Sequence, residues 1–350
     1  MAPARTLGVL LQHAAAYLHF RGQQPAVHLF SILTVKKFLY HIVYFIIPVL
    51  LLAYPADLFL GKYLKKSHPY NDEFPIWNAI YEGKVNSDVV IYGSSTAWVH
   101  VNPQMLADSL HSSVYNLGMD GHNFWMQYQR HRSLLRYNKV PRIIIQTLDI
   151  FTLQKRDNLY NADQFLPYMF LNDDLQISTA KYEGYQPVDF ALPLVRYYGK
   201  RKAITTAMWL SISRSGESPN RIAGFQSQNK AWTNDFTSAK LRMPAYEAKL
   251  DTASIHLFDR YLNECSERNI KMVFVYSPEY IDGQQFITNR AEVIALYEAF
   301  SKRYAIPFYN YSDDAITRDR SCYFNTLHLN KKGSTLFTSK LICDLKALGQ

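Results

Sequence analysis

Residues 88–111 read DVVIYGSSTAWVHVNPQMLADSLH, and the order of residue types in them sets the fold class. Val89, Val90, Ile91 and Tyr92 form a short apolar run bounded by turn residues, the pattern of a strand buried on both faces. Asn102 followed by Pro103 is a helix start, with the asparagine as N-cap and the proline at the first helical position. Between strand and helix the chain turns small and hydroxylated, Gly93-Ser94-Ser95. A buried strand that ends in this way is either a plain turn or the presentation of a nucleophile.

The unit repeats downstream. SVYNLG (113–118) and RIIIQTLD (142–149) read as second and third strands, with NFWMQYQRHRSLLRYN (123–138) at helical spacing between them. KMVFVYSP (271–278) and IPFYNYS (306–312) are two more strands. Helices are expected over about 245–268 and 288–304, and a last one from about Ser334, after Gly333. Residues 150–240 break the alternation; they are rich in Tyr, Asn, Asp and Pro, with short helical pieces such as AITTAMWLSISR, and read as an insertion or cap. Strands alternating with helices imply an α/β fold, a parallel sheet with helices on both faces, and ligands in such sheets sit outside the carboxyl ends of the strands.

The chain has 350 residues, 48% of them hydrophobic and 19% charged, a globular composition. Its net charge of +9 is unevenly spread. Residues 1–66 hold seven Lys/Arg and one acid, Asp57, and so carry two thirds of the excess. These charges flank FLYHIVYFIIPVLLLAYPADLFL (38–60), an apolar stretch long enough at ~1.5 Å per residue to cross a ~30 Å hydrocarbon core. The basic excess therefore reads as membrane topology, and nucleic-acid binding is not expected. A single-pass signal anchor over 36–60 is expected, without a clean small-x-small cleavage site after it. Lys36-Lys37 places its amino end in the cytoplasm and everything after about residue 60 outside, against the opposing vote of Lys62, Lys65 and Lys66. Residues 61–87 read as a juxtamembrane connector and 88–350 as the main domain. Residues 1–34 are poorly patterned, and a natural start at Val35 is one expectation. The three cysteines, Cys265, Cys322 and Cys343, include no C-x-x-C pair; no zinc site, other metal or cofactor is expected.

Three loops carry candidate chemistry. The first is Gly93-Ser94-Ser95. The second, YNLGMDGHN (115–123), has two glycines three apart that let the backbone approach a ligand and offer amide donors to an oxyanion. The third, NTLHLNKKG (325–333), places His328 three residues after Asn325 and just before the last helix. Singly each is more often structural than functional; together, in this order along a parallel sheet, they fall at one edge.

The three loops resemble the blocks of the SGNH/GDSL hydrolase superfamily. G-D-S resembles Gly93-Ser94-Ser95; N-x-G-x-x-G resembles Asn116 to Gly121; D-x-x-H-x-N-x-x-G resembles Asn325 to Gly333. The G-S-S form, the amino-terminal anchor and the H-L-N-x-x-G ending are similar to a membrane-anchored branch that includes the D-alanyl transfer protein of teichoic acid synthesis and proteins of exopolysaccharide O-acetylation. The resemblance spans about 88–345. It implies a three-layer, flavodoxin-like sandwich, with Ser95 as nucleophile, His328 as base, and the amides of Ser95 and Gly121 as an oxyanion hole. It also implies O-acyl transfer or ester hydrolysis on a cell-surface glycan, outside the bacterial cytoplasmic membrane, with a membrane-bound O-acyltransferase as partner. Two positions depart from the blocks: Asn325 stands where the family has Asp, and Leu148 stands where G-x-N-D has its Asn, leaving only Asp149. Asn325 can orient His328 through its carbonyl oxygen; Asp120 and Asp149 are the acids that could stand in, with Asn116 as further support. Tyr182, Tyr185, Tyr197, Tyr198 and Trp232 are candidates for a glycan-facing cap. The alternative reading is a catalytically impaired scaffold or glycan-binding partner, for which Asn325 is the support.

Overall fold

The computed structural model describes residues 24–213 and 220–348. Five strands form one all-parallel sheet in the order β2-β1-β3-β4-β5: β1 (Val89–Tyr92), β2 (Val114–Asn116), β3 (Ile143–Leu148), β4 (Lys271–Tyr276) and β5 (Phe308–Asn310). Helices cover both faces, and the order is the flavodoxin-like one, with its switch point between β1 and β3. The sequence places these strands because they are buried on both faces and so carry no polar alternation. All of β1 is buried, as is β3 beyond Ile143 and β4 beyond Lys271.

The chain divides into two units, up to Leu58 and from Phe59 onward, each described by itself. The first holds most of α1 (Gln24–Leu64), a helix that contains Pro48 and Pro55. Its stretch Val35–Leu64 is long and apolar enough to cross a membrane, and Phe38, Tyr40, Tyr44, Phe45, Leu51 and Leu52 are exposed on it. The expected start at Val35 concerns residues that, up to 23, lie outside those described.

In the second unit, residues expected as a connector form α2 (Pro69–Tyr81), with Phe74, Trp77 and Ile80 fully buried in the larger core. Then come α3 (Ser95–His100) and α4 (Pro103–Leu110), the latter capped by Asn102, whose side chain accepts from Gln104 N at 3.0 Å and Met105 N at 3.4 Å. Next is α5 (Phe124–Tyr137). The segment 150–240 folds as short pieces: a 3-10 helix (Ala162–Tyr168), α6 (Asp173–Thr179), α7 (Pro187–Ala191), α8 (Arg201–Ile212) and α9 (Asp235–Arg242). Phe165, Leu166, Met169 and Leu175 of this segment join the core. The chain closes with α10 (Thr252–Glu267), α11 (Ile281–Gln285), α12 (Arg290–Tyr304) and α13 (Lys331–Leu348). The last helix starts at Lys331 rather than Ser334, because the Asn330 side chain accepts from Gly333 N at 3.1 Å and so caps it one turn earlier. Gly333 is inside the helix; a Cβ there would come within 2.1 Å of the Cys322 carbonyl oxygen.

Behind the second loop lies a buried charge cluster. Glu73 of α2 accepts from Arg130 of α5 and, at 2.9 Å, from Arg221. Arg130 also donates to the carbonyls of Leu117 (3.3 Å) and Gly118 (3.4 Å), and Arg221 to Gly118 at 3.3 Å. The guanidinium groups stack over Trp77 and Trp98 at 4.4 and 4.3 Å from the ring centroids. Glu73→Ala would leave two cations buried without their acid, a loss of about 3–5 kcal/mol. We expect a matching drop in unfolding free energy by urea denaturation of the detergent-solubilised protein, with a loss below about 1 kcal/mol showing that the cluster is not dry.

Candidate active site

Gly93 ends β1 at φ +148°, and a Cβ there would overlap Thr147 Oγ1 of β3 at 1.9 Å, so the turn needs glycine. The chain re-enters helix at once. Ser94 is the N-cap of α3, accepting from Thr96 N at 3.3 Å, and Ser95 is the first helical residue. This six-residue helix did not figure in the sequence expectations, where the stretch was a turn. Its signal is the Ser at N-cap, which is common in turns too.

His328 reaches Ser95 from a loop 233 residues downstream: Ser95 Oγ and His328 Nε2 are 2.7 Å apart. His328 Nδ1 lies 3.0 Å from Asn325 Oδ1. That oxygen also accepts from the backbone N–H groups of Leu327 (3.0 Å) and His328 (2.8 Å). Two backbone donors can only face an acceptor, so they fix the amide with its oxygen toward the ring. Nδ1 must then carry the proton, and Nε2 presents its lone pair to the Ser95 hydroxyl. The ring is sandwiched, with Phe324 stacked on it at 5.3 Å between centroids and 6° between planes, and His100 edge-on at 6.1 Å. His100 Nε2 accepts from Leu329 N at 3.0 Å, tying α3 to the same loop. Burial pushes the His328 pKa down to about 4, with the charge of Lys230 adding to the shift.

The second loop is fixed by Asn116 at the end of β2. Its amide nitrogen donates to the carbonyls of Ala97 and Val101, both at 2.8 Å, and its oxygen accepts from Gly118 N at 3.0 Å. Gly118 presses on α3: a Cβ would stand 2.6 Å from Trp98 N and 2.7 Å from Ala97 Cβ. Gly121, at φ +67°, packs under the Tyr160 ring and shares with Ser95 a cleft of about 390 Å³ that is also lined by Ser94, Phe151, Arg156 and Tyr246. The N–H groups of Ser95 and Gly121 have no acceptor among the described residues.

The expected acids sit elsewhere. Asp149 takes hydrogen bonds from Ser94 Oγ, Phe151 N (2.8 Å), Thr152 Oγ1 (3.0 Å) and Thr96 Oγ1 (3.4 Å). It braces the residues on either side of Ser95 and does not reach His328. Asp120 stands in the loop between Gly118 and Gly121 and takes no hydrogen bond from His328. Asn325 is the partner of the ring, so neither acid takes that place. Leu148 is a core side chain. Of the aromatics considered for a cap, Tyr182 and Tyr197 are buried; Tyr182 donates to Asn123 Oδ1 at 3.0 Å, which corrects the expectation for both. Tyr185 is half-buried and donates to Ala162 O at 2.8 Å, Trp232 packs against Tyr280, and Tyr198 is exposed.

Sequence reasoning missed Arg156, which donates to the carbonyl of Gly121, and Lys230, which lies over the Phe324 ring at 5.3 Å. Neither belongs to a motif. The cluster of Glu73, Arg130 and Arg221 was also missed, because its members are far apart in the chain.

No protein-family model matches the chain, and no curated protein matches it. Among solved structures, a candidate acylhydrolase from Bacteroides fragilis NCTC 9343 overlaps 73% of this chain and 86% of its own, at 11% identity and a TM-score of 0.30. So remote a likeness carries no weight for the site, which rests on its side chains.

The arrangement predicts a histidine that stays neutral throughout the physiological range. In an NMR titration of the imidazole signals, the resonance lost in His328→Gln should have its midpoint near pH 4. A midpoint near the ordinary ~6.5 would mean that the ring is open to water.

Proposed function

We propose that the chain is a membrane-anchored, extracytoplasmic acyltransferase or esterase that acts on O-acyl groups of a cell-surface polysaccharide. The observation that carries the chemistry is the relay Ser95 Oγ–His328 Nε2–Asn325, with contacts of 2.7 and 3.0 Å, at the carboxyl edge of the parallel sheet. The anchor reading rests on Val35–Leu64, and the sidedness on Lys36-Lys37 ahead of it. A membrane-bound O-acyltransferase that hands over or receives the acyl group is the partner proposed, and the SGNH-type resemblance of the three loops supports both partner and substrate class.

In the reaction, Ser95 Oγ attacks the ester carbonyl carbon while its proton passes to His328 Nε2. The carbonyl oxygen becomes an oxyanion, which the N–H groups of Ser95 and Gly121 receive; one such donor is typically worth ~10²–10³ in rate. The C–O bond to the leaving alcohol breaks as His328 returns the proton to that oxygen, leaving an acyl-serine. Water or a second hydroxyl then attacks the acyl carbon, gives its proton to His328, and Ser95 Oγ leaves and recovers it. Asn325 holds the ring and its tautomer throughout but offers the imidazolium an amide dipole in place of a full charge. Together with burial this makes His328 a weak base, and a slow enzyme follows.

The same amide favours a second reading, a glycan-binding scaffold that keeps the fold and does no chemistry. A fluorophosphonate probe separates the two: it should label the wild-type chain and not Ser95→Ala. An unlabelled wild type across about pH 6–9 favours the scaffold, since neutral His328 is available over that whole range.

Every hydrogen bond of the Asn325 side chain among the described residues uses its oxygen, so Asn325→Asp keeps them all and adds a charge. We expect kcat to rise more than about tenfold, the reverse exchange costing ~10⁴ in a chymotrypsin-type triad. The acid limb of the pH profile should also move up, as the carboxylate favours the imidazolium. An unchanged or lower rate would show that His328 is oriented by something else.

A further inference from the structure

We propose that the outward face of α8 (Arg201–Ile212) lies in the headgroup layer of an anionic phospholipid bilayer, as a second point at which the unit from Phe59 onward is held to the membrane. This second attachment goes beyond the anchor and rests on the reading of Val35–Leu64 as a membrane span.

α8 turns one side to the core and the other to solvent. Ala207 is fully buried, and Ala203 and Ile204 pack against the larger core. Arg201, Lys202, Thr205, Met208, Trp209 and Ile212 fall on the outer side, as spacings of three, four and seven residues require. All six are exposed, Met208 and Trp209 at 56% each and Ile212 at 82%. The outer face of a solvated helix carries charged and polar residues. This one is basic over its first turn and apolar over its last. A tryptophan, large apolar side chains and basic residues exposed together are the composition of a helix that lies in a membrane–water interface. A face shaped for a protein partner would be depleted in lysine.

The face stands beside the end of the span. Val35–Leu64 is 30 residues long, or ~45 Å at ~1.5 Å per residue, against a hydrocarbon core of ~30 Å and a bilayer of ~40–45 Å with its headgroups. Its last turns therefore reach headgroup level, and residues 59–64 belong to the second unit itself. Gly61 in these turns packs on that unit: a Cβ there would stand 3.6 Å from Tyr197 Oη and 3.7 Å from the Pro167 carbonyl oxygen. The Tyr197 carbonyl accepts from Lys200 N at 2.9 Å, and the Lys200 carbonyl from Ile204 N at 3.1 Å, so backbone hydrogen bonds run from this seat into α8. Leu64, Lys66 and Tyr70 line one cavity of about 550 Å³ together with Lys202 and Trp209.

The charges around this cavity favour an anionic surface. Lys62, Lys66, Arg201 and Lys202 are exposed, and none has an ion-pair partner among the described residues. The acid on the cavity wall, Asp163, is taken by Lys200 at 2.6 Å, and His68, on the same wall, bonds Asp72 at 3.0 Å. Basic residues just outside a span are drawn to anionic headgroups, and their long stems let them stay at that level while apolar neighbours sink deeper. A single span leaves a domain free to swing about its exit point. A second contact one cavity away removes much of that freedom and holds the Ser95 cleft at one tilt to the bilayer.

The test uses the full chain reconstituted into vesicles of phosphatidylglycerol and phosphatidylcholine. The other four tryptophans, Trp77, Trp98, Trp125 and Trp232, are buried or half-buried, and the emission lost in Trp209→Phe isolates Trp209. That share should be quenched by acyl chains brominated near the headgroup and much less by chains brominated at the far end, since an interfacial helix sinks only ~5–10 Å. Met208→Ser with Ile212→Ser, both at exposed positions, should abolish the quenching. Lys202→Gln should lower the ratio of docked to undocked helix about fivefold, and leaving out phosphatidylglycerol should lower it further. Equal quenching with and without the anionic lipid overturns the basic part of the proposal. An alkaline carbonate wash reads the anchor separately. A chain that resists the wash while Trp209 is unquenched overturns the second attachment and leaves the anchor standing; a chain washed off although Trp209 was quenched does the reverse. If Trp209 is unquenched and Ile212→Ser turns a dimer into a monomer in detergent, the face belongs to a second copy and the proposal falls.

Discussion

Two carbonyl oxygens, those of Leu117 and Gly118, are held from behind by Arg130 and Arg221, and both guanidinium groups depend on the carboxylate of Glu73. Burial pushes that carboxyl up, but Arg130 and Arg221 outweigh it and keep Glu73 below the usual carboxylate range. Charges taken out of water are tolerable only as a complete set. The set draws one member from α2, one from α5 and one from the segment before α9, so three distant stretches must all be seated before the loop bearing Gly121 has its shape. From the front, Asn116 and the bare α-carbon of Gly118 press the same loop against α3. The geometry at Ser95 is thus over-determined by contacts that never touch it.

Within that frame the chemistry is deliberately lean. In the proposed reaction Ser95 has His328 as its base, with the tautomer fixed, yet the charge that usually steadies an imidazolium is replaced by an amide dipole. The buried carboxylate of Asp149, beside the serine, is spent on Ser94, Thr96 and Thr152. Aromatic packing by Phe324 and the edge of His100 holds His328 part-buried, which fixes its position and lowers its basicity in the same stroke. Position has been favoured over proton affinity.

How much of this could be read from residues alone depends on how local each signal is. β1, β3 and β4 are legible because a strand buried on both faces must be an unbroken apolar run. Asn325, His328 and Asn330 are legible because the spacing within a single loop brings them together. The segment Pro69–Tyr81 reads as a connector: Asn71, Asp72, Glu73 and Pro75 hide a helix whose buried apolar residues are Phe74, Ile76, Trp77 and Ile80. The start of α13 was misplaced because Gly333 looks like a breaker, whereas it serves a close approach to Cys322. Tyr182 and Tyr197 could as well have faced a sugar as a core; only their neighbours decide. Arg156, Lys230 and Arg221 have no local pattern at all, since each is defined by what folds up beside it.

One feature of the packing concerns how the molecule can be handled. Of the three cysteines, Cys265 and Cys322 are buried, and burial pushes the Cys265 thiol up to about 12; Cys343 lies exposed on α13. α13 starts just past His328, and Cys343 follows its first residue by twelve positions, or ~18 Å of helix. The native chain thus carries a single ready thiol for a fluorophore or surface tether, well away from the cleft, with the two silent thiols waiting as built-in reporters of unfolding.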